Sequence, residues 1–566
     1  MIMTNLTDYL IRKRTQIFDS AAFIAATVIS LASCVGSFFL ESNRPEFSTI
    51  STLSDFAMKV TISLIILYIV LKCLFNHFDY SKDSVNFESD FRRVDRDCVI
   101  KTALIFLLVW STWILAHWPG TMRDDSIPQM FQALGYYHFY TQHPIMDTLF
   151  FGIFWKLGLL FSDLKLGLFL YIVVQAILTS FVFALIVSYL RMAGISGNLI
   201  LCTVFFYAFS RAVYQPIDTM SKDAFNGYLF ALVVLLQVDI VRTNGVWLNQ
   251  RRCLMFYACA VFLCIASKRT MMYVLVPSAI FISIYLRSSN RHCIKLILYS
   301  ILPALVFLFV WNPVSIAILD ADSNPTYEMY SIPEQEVTAC IIANPEVLNL
   351  DEYEELNQYM DSERAIQVYN PTRSDEVSGT VRRNPNKFAL LKTWGKVLVR
   401  DPKTCLKSFL LMSGRWFSLA SSIDYGHNME EELLNPSRMQ SWSSFFDGDV
   451  KKTEEVLQGL RGGSDIPLIL SESVEFLDGI QRGLAPICSY GLFAFAIPSS
   501  ILIYGISRRE KKVVMLSIIP FLLLISFIVG PIALYWYSIP SVYIAPLILS
   551  MPLLVCDASG ESKNIE

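Results

Sequence analysis

Charge is the first scarcity. Lys, Arg, Asp and Glu make up only 17% of the 566 residues, against about 25% in a typical soluble domain. Histidine occurs just six times. The twelve cysteines form no CxxC pair and no Cys/His metal spacing, and most sit inside apolar runs, as Cys34, Cys202, Cys259 and Cys264 do. No basic domain is present: 46 basic against 49 acidic groups leave −3, so nucleic acid is not an expected partner. No cleavable leader stands out, because the first apolar run, behind Arg12, Lys13 and Arg14, is long and lacks a small-residue cleavage site. These absences exclude a water-soluble enzyme built around one buried core.

Apolar residues fill the space: 54% of the chain, with 40 Phe, 26 Tyr and 10 Trp and a mean hydropathy of +0.47. A helix needs ~20 apolar residues to cross ~30 Å of hydrocarbon. Runs of about that length lie near 20–40, 56–76, 99–117, 165–190, 197–213, 222–241, 252–267, 270–286, 293–316, 484–506, 511–530 and 533–554. The expected fold is an all-α polytopic membrane protein with about twelve transmembrane helices, within a range of eleven to thirteen.

Basic residues in short loops favour the cytoplasm, and this decides one ambiguous stretch, 145–161. If it lies along the membrane surface, the clusters Arg12–Arg14, Arg92/Arg93/Arg96, Arg191, Arg242/Arg251/Arg252, Arg287/Arg291/Lys295 and Arg508/Arg509/Lys511/Lys512 all face the cytoplasm. If it crosses, every later cluster flips outward. It therefore reads as an interfacial amphipathic helix, with both termini cytoplasmic. Charge is also unevenly spread along the chain. Residues 317–482 hold 27 of the 49 acidic and 16 of the 46 basic groups, a net of −11, while the rest carries +8. Four regions follow: an accessory membrane hairpin over 1–98; a membrane core over 99–316, with an outer loop 118–144 and the surface helix 145–161; an acidic, mainly helical extracytoplasmic domain over 317–482; and three closing spans over 483–566. Cys340 and Cys405 both fall in the acidic domain and leave a disulfide open.

Three polar elements stand out on the outer face. In the first loop, Trp118-Pro119-Gly120 ends a helix, Arg123, Asp124 and Asp125 follow at once, and Ser126 is placed to cap the next helix. Asp125 and Gln129 are four apart and share a helical face, and His143-Pro144 opens the surface stretch. A solvated loop with an aromatic belt is the plainer account of this segment. In the second element, Lys222-Asp223 begins a span, where an exposed ion pair at a helix start is the plain account. The third is Lys268-Arg269, set between two spans with almost no loop. By the charge rule two cations do not belong there, so an anionic partner is expected. A lipid phosphate gripped by Arg would supply one; so would a salt bridge to Asp124, Asp223 or the acidic domain. Pro531, Tyr535 and Tyr537 precede the last span, either lining the same cavity or forming part of the belt. A carboxylate can take a proton from an acceptor hydroxyl or orient it, and cations can stabilise a phosphate as it leaves.

The pieces WPGTMRDDSIPQ, QHPIMDT, SKDAF, SKRTMMYVLVP, SIPEQEV with VYNPTRSDEV, and GPIALYWYSIPSVYIAP run through most of the chain from about 100 to 550. Their order resembles that of a bacterial group of multi-spanning membrane proteins. The layout, with an acidic residue just after a helix end in the first outer loop, resembles the GT-C superfamily of membrane glycosyltransferases that use lipid-phosphate sugars, such as protein O-mannosyltransferases. The hairpin before residue 98 lies outside the resemblance. By it, Asp125 matches the catalytic acid, with Asp124 as its neighbour, while His143, Lys222, Asp223 and Arg269 match recurrent polar positions. The residues themselves suggest finer roles. Asp125 would activate the acceptor, and His143 would position the acceptor or the sugar. Arg123, Gln129, Lys222, Asp223, Lys268, Arg269, Tyr535 and Tyr537 would form the substrate-binding set. The implied partners are a polyprenyl-phosphate sugar and an envelope glycan, lipid or protein acceptor, handled at the outer face of a bacterial cell membrane. Asp124 and Asp125 lack a third ligand at convincing spacing, so neither a metal nor another cofactor is expected. A transporter or flippase of lipid-linked glycans, or a polysaccharide polymerase, is the competing expectation.

Overall fold

A computed structural model of the chain describes residues 18–41, 50–81, 90–286, 290–322, 328–421, 436–460 and 488–555, with a few isolated positions between 472 and 480. Arg12, Lys13, Arg14 and Arg287 lie outside the described residues. Among the described residues the fold is all-α apart from one pair of two-residue parallel strands and four isolated bridges.

Helices α1 (Ser20–Glu41) and α2 (Ile50–Ser81) form an antiparallel hairpin, followed by α3 (Arg96–Ala116). After β1 (Thr121–Met122) come α4 (Ser126–Leu134), α5 (Ile145–Leu160), α6 (Leu164–Met192), α7 (Gly197–Phe209) and α8 (Arg211–Ile217). Then follow β2 (Thr219–Met220), α9 (Lys222–Arg242), α10 (Arg251–Ser267), α11 (Met272–Tyr285), α12 (Asn290–Val306) and α13 (Asn312–Leu319). The acidic domain supplies α14 (Ser331–Ala343), α15 (Leu350–Leu356), α16 (Ser362–Val368), α17 (Asp375–Ser378), α18 (Lys387–Arg400) and α19 (Pro402–Ser413). The chain closes with α20 (Pro436–Ser443), α21 (Val450–Gln458), α22 (Ile497–Ser507), α23 (Lys511–Leu516), α24 (Ile518–Ile528) and α25 (Tyr535–Leu554).

Among the described residues, eight helices are long and apolar enough to cross a membrane: Ser20–Leu40, Ser51–Ser81, Arg96–Ala116, Leu164–Met192, Lys222–Arg242, His292–Leu319, Lys511–Ile528 and Tyr535–Leu554. A ninth is possible if α7 and α8, bent by 46° at Ser210, act as one span. The other three stretches expected to cross are helical but shorter: α10, Arg269–Tyr285 and Leu492–Ser507.

Burial sorts the spans. α9 and α25 are 94% and 89% enclosed by protein and form the centre, whereas α2 is only 11% enclosed. The outward residues of α2, among them Ile62, Ile65, Ile66 and Ile69, are more than half exposed, as suits a lipid-facing surface. α9 and α25 approach closely because Gly227 lets them: a Cβ there would sit 2.6 Å from the Ile539 side chain. The helix expected along the membrane surface, α5, has 16 residues and is not among the eight spans; its outward face, Leu149, Ile153, Leu157 and Leu160, is exposed and apolar, with Lys156 as its charge there.

The acidic domain has its own core, built on Val337, Cys340, Leu356, Tyr359, Val377, Leu390 and Val397. Its short helices α15 and α16 are each opened by an Asn or Asp cap. Cys340 and Cys405 are buried free thiols with sulfurs 3.4 Å apart. The run Glu334-Gln335-Glu336 is buried and bonded inside this domain: Glu334 accepts from Tyr359 and Ser378, each at 2.5 Å, and Glu336 from Trp394 at 2.7 Å. Residues beyond α19 leave that core. Gly414 packs backbone to backbone on Gly36 of α1, and Ser37 and Ser418 share a 2.6 Å hydrogen bond. Phe445 and Phe446 pack tilted or edge-on against Phe131 and Tyr137 of the first loop.

Candidate functional site

The site grows from two helix ends tied together. At the end of α3 the chain turns at Gly120, whose φ of +112° is open to glycine and strained for other residues. It then forms β1, pairing Thr121 with Thr219 and Met122 with Met220 of β2. This bridge brings Arg123, Asp124 and Asp125 beside the start of α9. Ser126, expected to cap α4, instead donates to the Met220 carbonyl at 2.7 Å; Asp125 occupies the cap position but makes no side-chain cap bond, which leaves its carboxylate for another partner.

That partner is Lys222, at 2.6 Å. Lys222 Nζ also lies 3.5 Å from His143 Nδ1. The next residue, Asp223, pairs with Lys268 at 2.5 Å. Of the accounts open for Lys268, the salt bridge to Asp223 is the one observed here. Its ammonium also lies 4.9 Å over the Tyr537 ring. Arg269 donates to the Thr141 carbonyl at 2.6 Å, two residues before His143. The plain account of Lys222-Asp223 as an exposed pair does not hold, because the two residues pair outward in opposite directions and Asp223 is 5% exposed. Residues from the first loop, the start of α9 and the α10–α11 junction thus form one connected cluster, with Arg123 held at its edge, 4.9 Å over the Trp536 ring.

The electrostatics follow from this packing. Withdrawal from bulk water pushes the Asp125 carboxyl up, but the Lys222 ammonium, aided by Arg123, overrules it and holds the group well below the usual carboxylate range. Burial pushes the His143 imidazole down to about 4, against the pull of Asp125, so the ring is neutral at neutral pH. Burial likewise pushes the Tyr140 phenol upward, helped by the Asp125 charge.

Two of the expected site residues lie elsewhere. Gln129 is fully buried and donates to Thr148 at 3.0 Å, which clamps α4 to α5. Tyr535 is 1% exposed and its hydroxyl donates to the Ala212 carbonyl at 2.6 Å, a packing contact between α25 and α8. Asp124 lies in the turn before α4, where its carbonyl accepts from Ile127 at 3.3 Å.

Three polar groups escaped the sequence reading. Asp147, in the first turn of α5, is fully buried. Trp536 was hidden among belt aromatics. Asp218, 2% exposed, meets His117 at 2.5 Å, a contact between the end of α3 and the β2 strand. The acid in QHPIMDT, set in an otherwise apolar helix, was the available signal for Asp147. Among the described residues no three His, Cys, Asp or Glu side chains are grouped to hold a metal ion. Beside the cluster lies a small pocket whose lining includes His143, Ala266, Arg269, Phe307, Trp311 and Asn312. Phe307 and Trp311 belong to a π-helical turn, Phe307–Trp311, a local form that recurs at functional sites.

One family model, described as a family of unknown function (DUF6020), matches residues 137–443, more than half of the chain. No curated protein and no solved structure matches it.

Proposed function

We propose that this chain, which belongs to the DUF6020 family, is a membrane glycosyltransferase that moves a sugar from a polyprenyl-phosphate donor to an envelope glycan, lipid or protein. The observation that carries this reading is the Asp125–Lys222 pair at 2.6 Å, with neutral His143 against the same ammonium. A carboxylate clamped by a cation is a weak base. When the donor phosphate takes Lys222 for itself, Asp125 loses its counter-charge and gains basicity. Donor binding therefore arms the acid that must act next.

In the step itself, the acceptor oxygen attacks the anomeric carbon in line. Its proton passes to Asp125, and the bond from that carbon to the phosphate oxygen breaks. The departing phosphate carries its charge to Lys222 and Arg269. The outcome is inversion at the anomeric carbon.

The same reading takes the fold as GT-C-like, with twelve crossings, both termini in the cytoplasm and the cluster outside a bacterial plasma membrane. Its support is the sorting of end contacts. Asp19 and Asp79 meet Arg508, and the Phe91 amide meets Asp239. These groups lie at the helix ends opposite those carrying Asp125, Lys222 and Lys268. A transporter or flippase of lipid-linked glycans would need a polar path through the middle of the bundle; the buried polar groups there, Gln237, Tyr257, Ser278 and Ser300, are uncharged and hydrogen-bonded to one another. A polysaccharide polymerase shares the layout and differs in its product.

The test is Asp125→Asn in the full-length protein, with membrane insertion verified. Mass spectrometry of envelope glycans and lipid-linked sugars should show loss of one glycoform and accumulation of its donor. An unchanged profile sinks the reading.

A further inference from the structure

Asp147 is out of place by every structural measure. It sits in an apolar stretch, is fully buried, and neither carboxyl oxygen has a hydrogen-bond partner among the described residues. A buried polar group left unmatched costs stability. Its neighbours on α5 are well matched: Thr148 accepts from Gln129, and Phe150 and Phe151 pack on Phe225 and Tyr171. The only other unmatched buried polar atom on α5 among the described residues is the Trp155 indole nitrogen, two turns further along, so Asp147 is the one unmatched group at the end of the helix that faces the cluster. It also lies within electrostatic reach of Lys222, Asp223 and Lys268, and burial drives it far toward the neutral acid. No cation touches it: Lys222 is spent on Asp125, and Lys268 on Asp223.

We propose that Asp147 forms the polar floor of the site and hydrogen-bonds an uncharged, hydroxyl-bearing part of the ligand. This rests on the glycosyl-transfer reading and assigns its parts: phosphate to the cations at the rim, sugar hydroxyls to the carboxyl beneath. A neutral acid suits that task. It can both donate and accept, and it does not compete with the phosphate for Lys222 or Lys268.

The experiment uses the full chain in lipid nanodiscs, comparing wild type, Asp147→Asn and Asp147→Leu. Two probes are a short-chain polyprenyl phosphate and the same lipid carrying one hexose, and thermal unfolding is followed alongside. Wild type should prefer the hexosyl lipid. Asp147→Leu should bind the bare phosphate unchanged, lose roughly tenfold for the hexosyl form, and unfold at a higher temperature, since an unmatched polar group has been removed. Asp147→Asn, which still donates and accepts, should keep most of the preference. Equal weakening of both probes, or an unchanged hexosyl preference in Asp147→Leu, overturns the assignment. If wild type binds neither lipid, the glycosyl-transfer reading falls by itself. The unfolding temperatures then decide Asp147: a lower midpoint for Asp147→Leu makes it structural and overturns the proposal, while a higher one keeps it as a ligand-facing group.

Discussion

The two ion pairs of the cluster look alike in length and differ in setting, and that difference predicts unequal energetics. Asp223 and Lys268 meet at 2.5 Å with side chains 7% and 15% exposed. Asp125 and Lys222 meet at 2.6 Å, but the Asp125 side chain is 46% exposed. Removing one partner of an enclosed pair strands a charge and costs about 3–5 kcal/mol. A pair open to water on one side is screened and is worth about 1 kcal/mol. Lys268→Met should therefore lower stability by roughly 3 kcal/mol or more, and Asp223→Asn added to it should recover most of that loss. Lys222→Met should cost about 1 kcal/mol, with little recovery from Asp125→Asn. The assay is reversible denaturation of the purified full chain in mild detergent, run as two double-mutant cycles. Coupling of equal size in the two cycles, or additive losses at Asp223 and Lys268, would refute the reasoning that enclosure sets these energies.

Two further outcomes follow from burial. The folded His143 holds off its proton until about pH 4, whereas an unfolded histidine takes it near pH 6.5. Between those values the unfolded state binds more protons, so acid favours unfolding, by up to roughly 3 kcal/mol across the window. His143→Gln should flatten that part of the stability profile between pH 6.5 and 4, and an unflattened profile would mean that the ring is already charged. Gly227→Ala should force α9 from α25 through Ile539 and cost about 1–3 kcal/mol, measured as a lowered unfolding midpoint.

Much of the architecture was legible because hydrocarbon imposes so few choices. Runs of spanning length became helices, and Asp125 and Lys268 came near one another through the adjacent Lys222 and Asp223, because a charge withdrawn from water needs a partner. Helix length was less legible. The stretches near 252–267 and 270–286 are helical but short, and hydropathy does not register where a helix ends against protein rather than water. Asp147 was missed because an acid within an apolar stretch is averaged away, and the contact of Gln129 with Thr148 was not legible because shared helical spacing with Asp125 does not say which neighbour lies opposite. The excursion of 414–421 onto α1 had no periodic signal: its contacts are Gly36 on Gly414 and Ser37 on Ser418, small residues that read as turn.

The acidic domain is stitched to two walls of the cluster through main-chain bonds. Ser374 donates to the Pro531 carbonyl at 2.9 Å, a few residues before Trp536 and Tyr537, and the Thr141 amide donates to Asp322 at 2.9 Å, just before His143. Backbone bonds of this kind transmit displacement where surface side chains would yield. Anything that tilts the domain therefore tugs on the aromatic platforms under Arg123 and Lys268, and on the segment leading to the imidazole. A load placed on the domain would be felt at the ion pairs as a change of spacing.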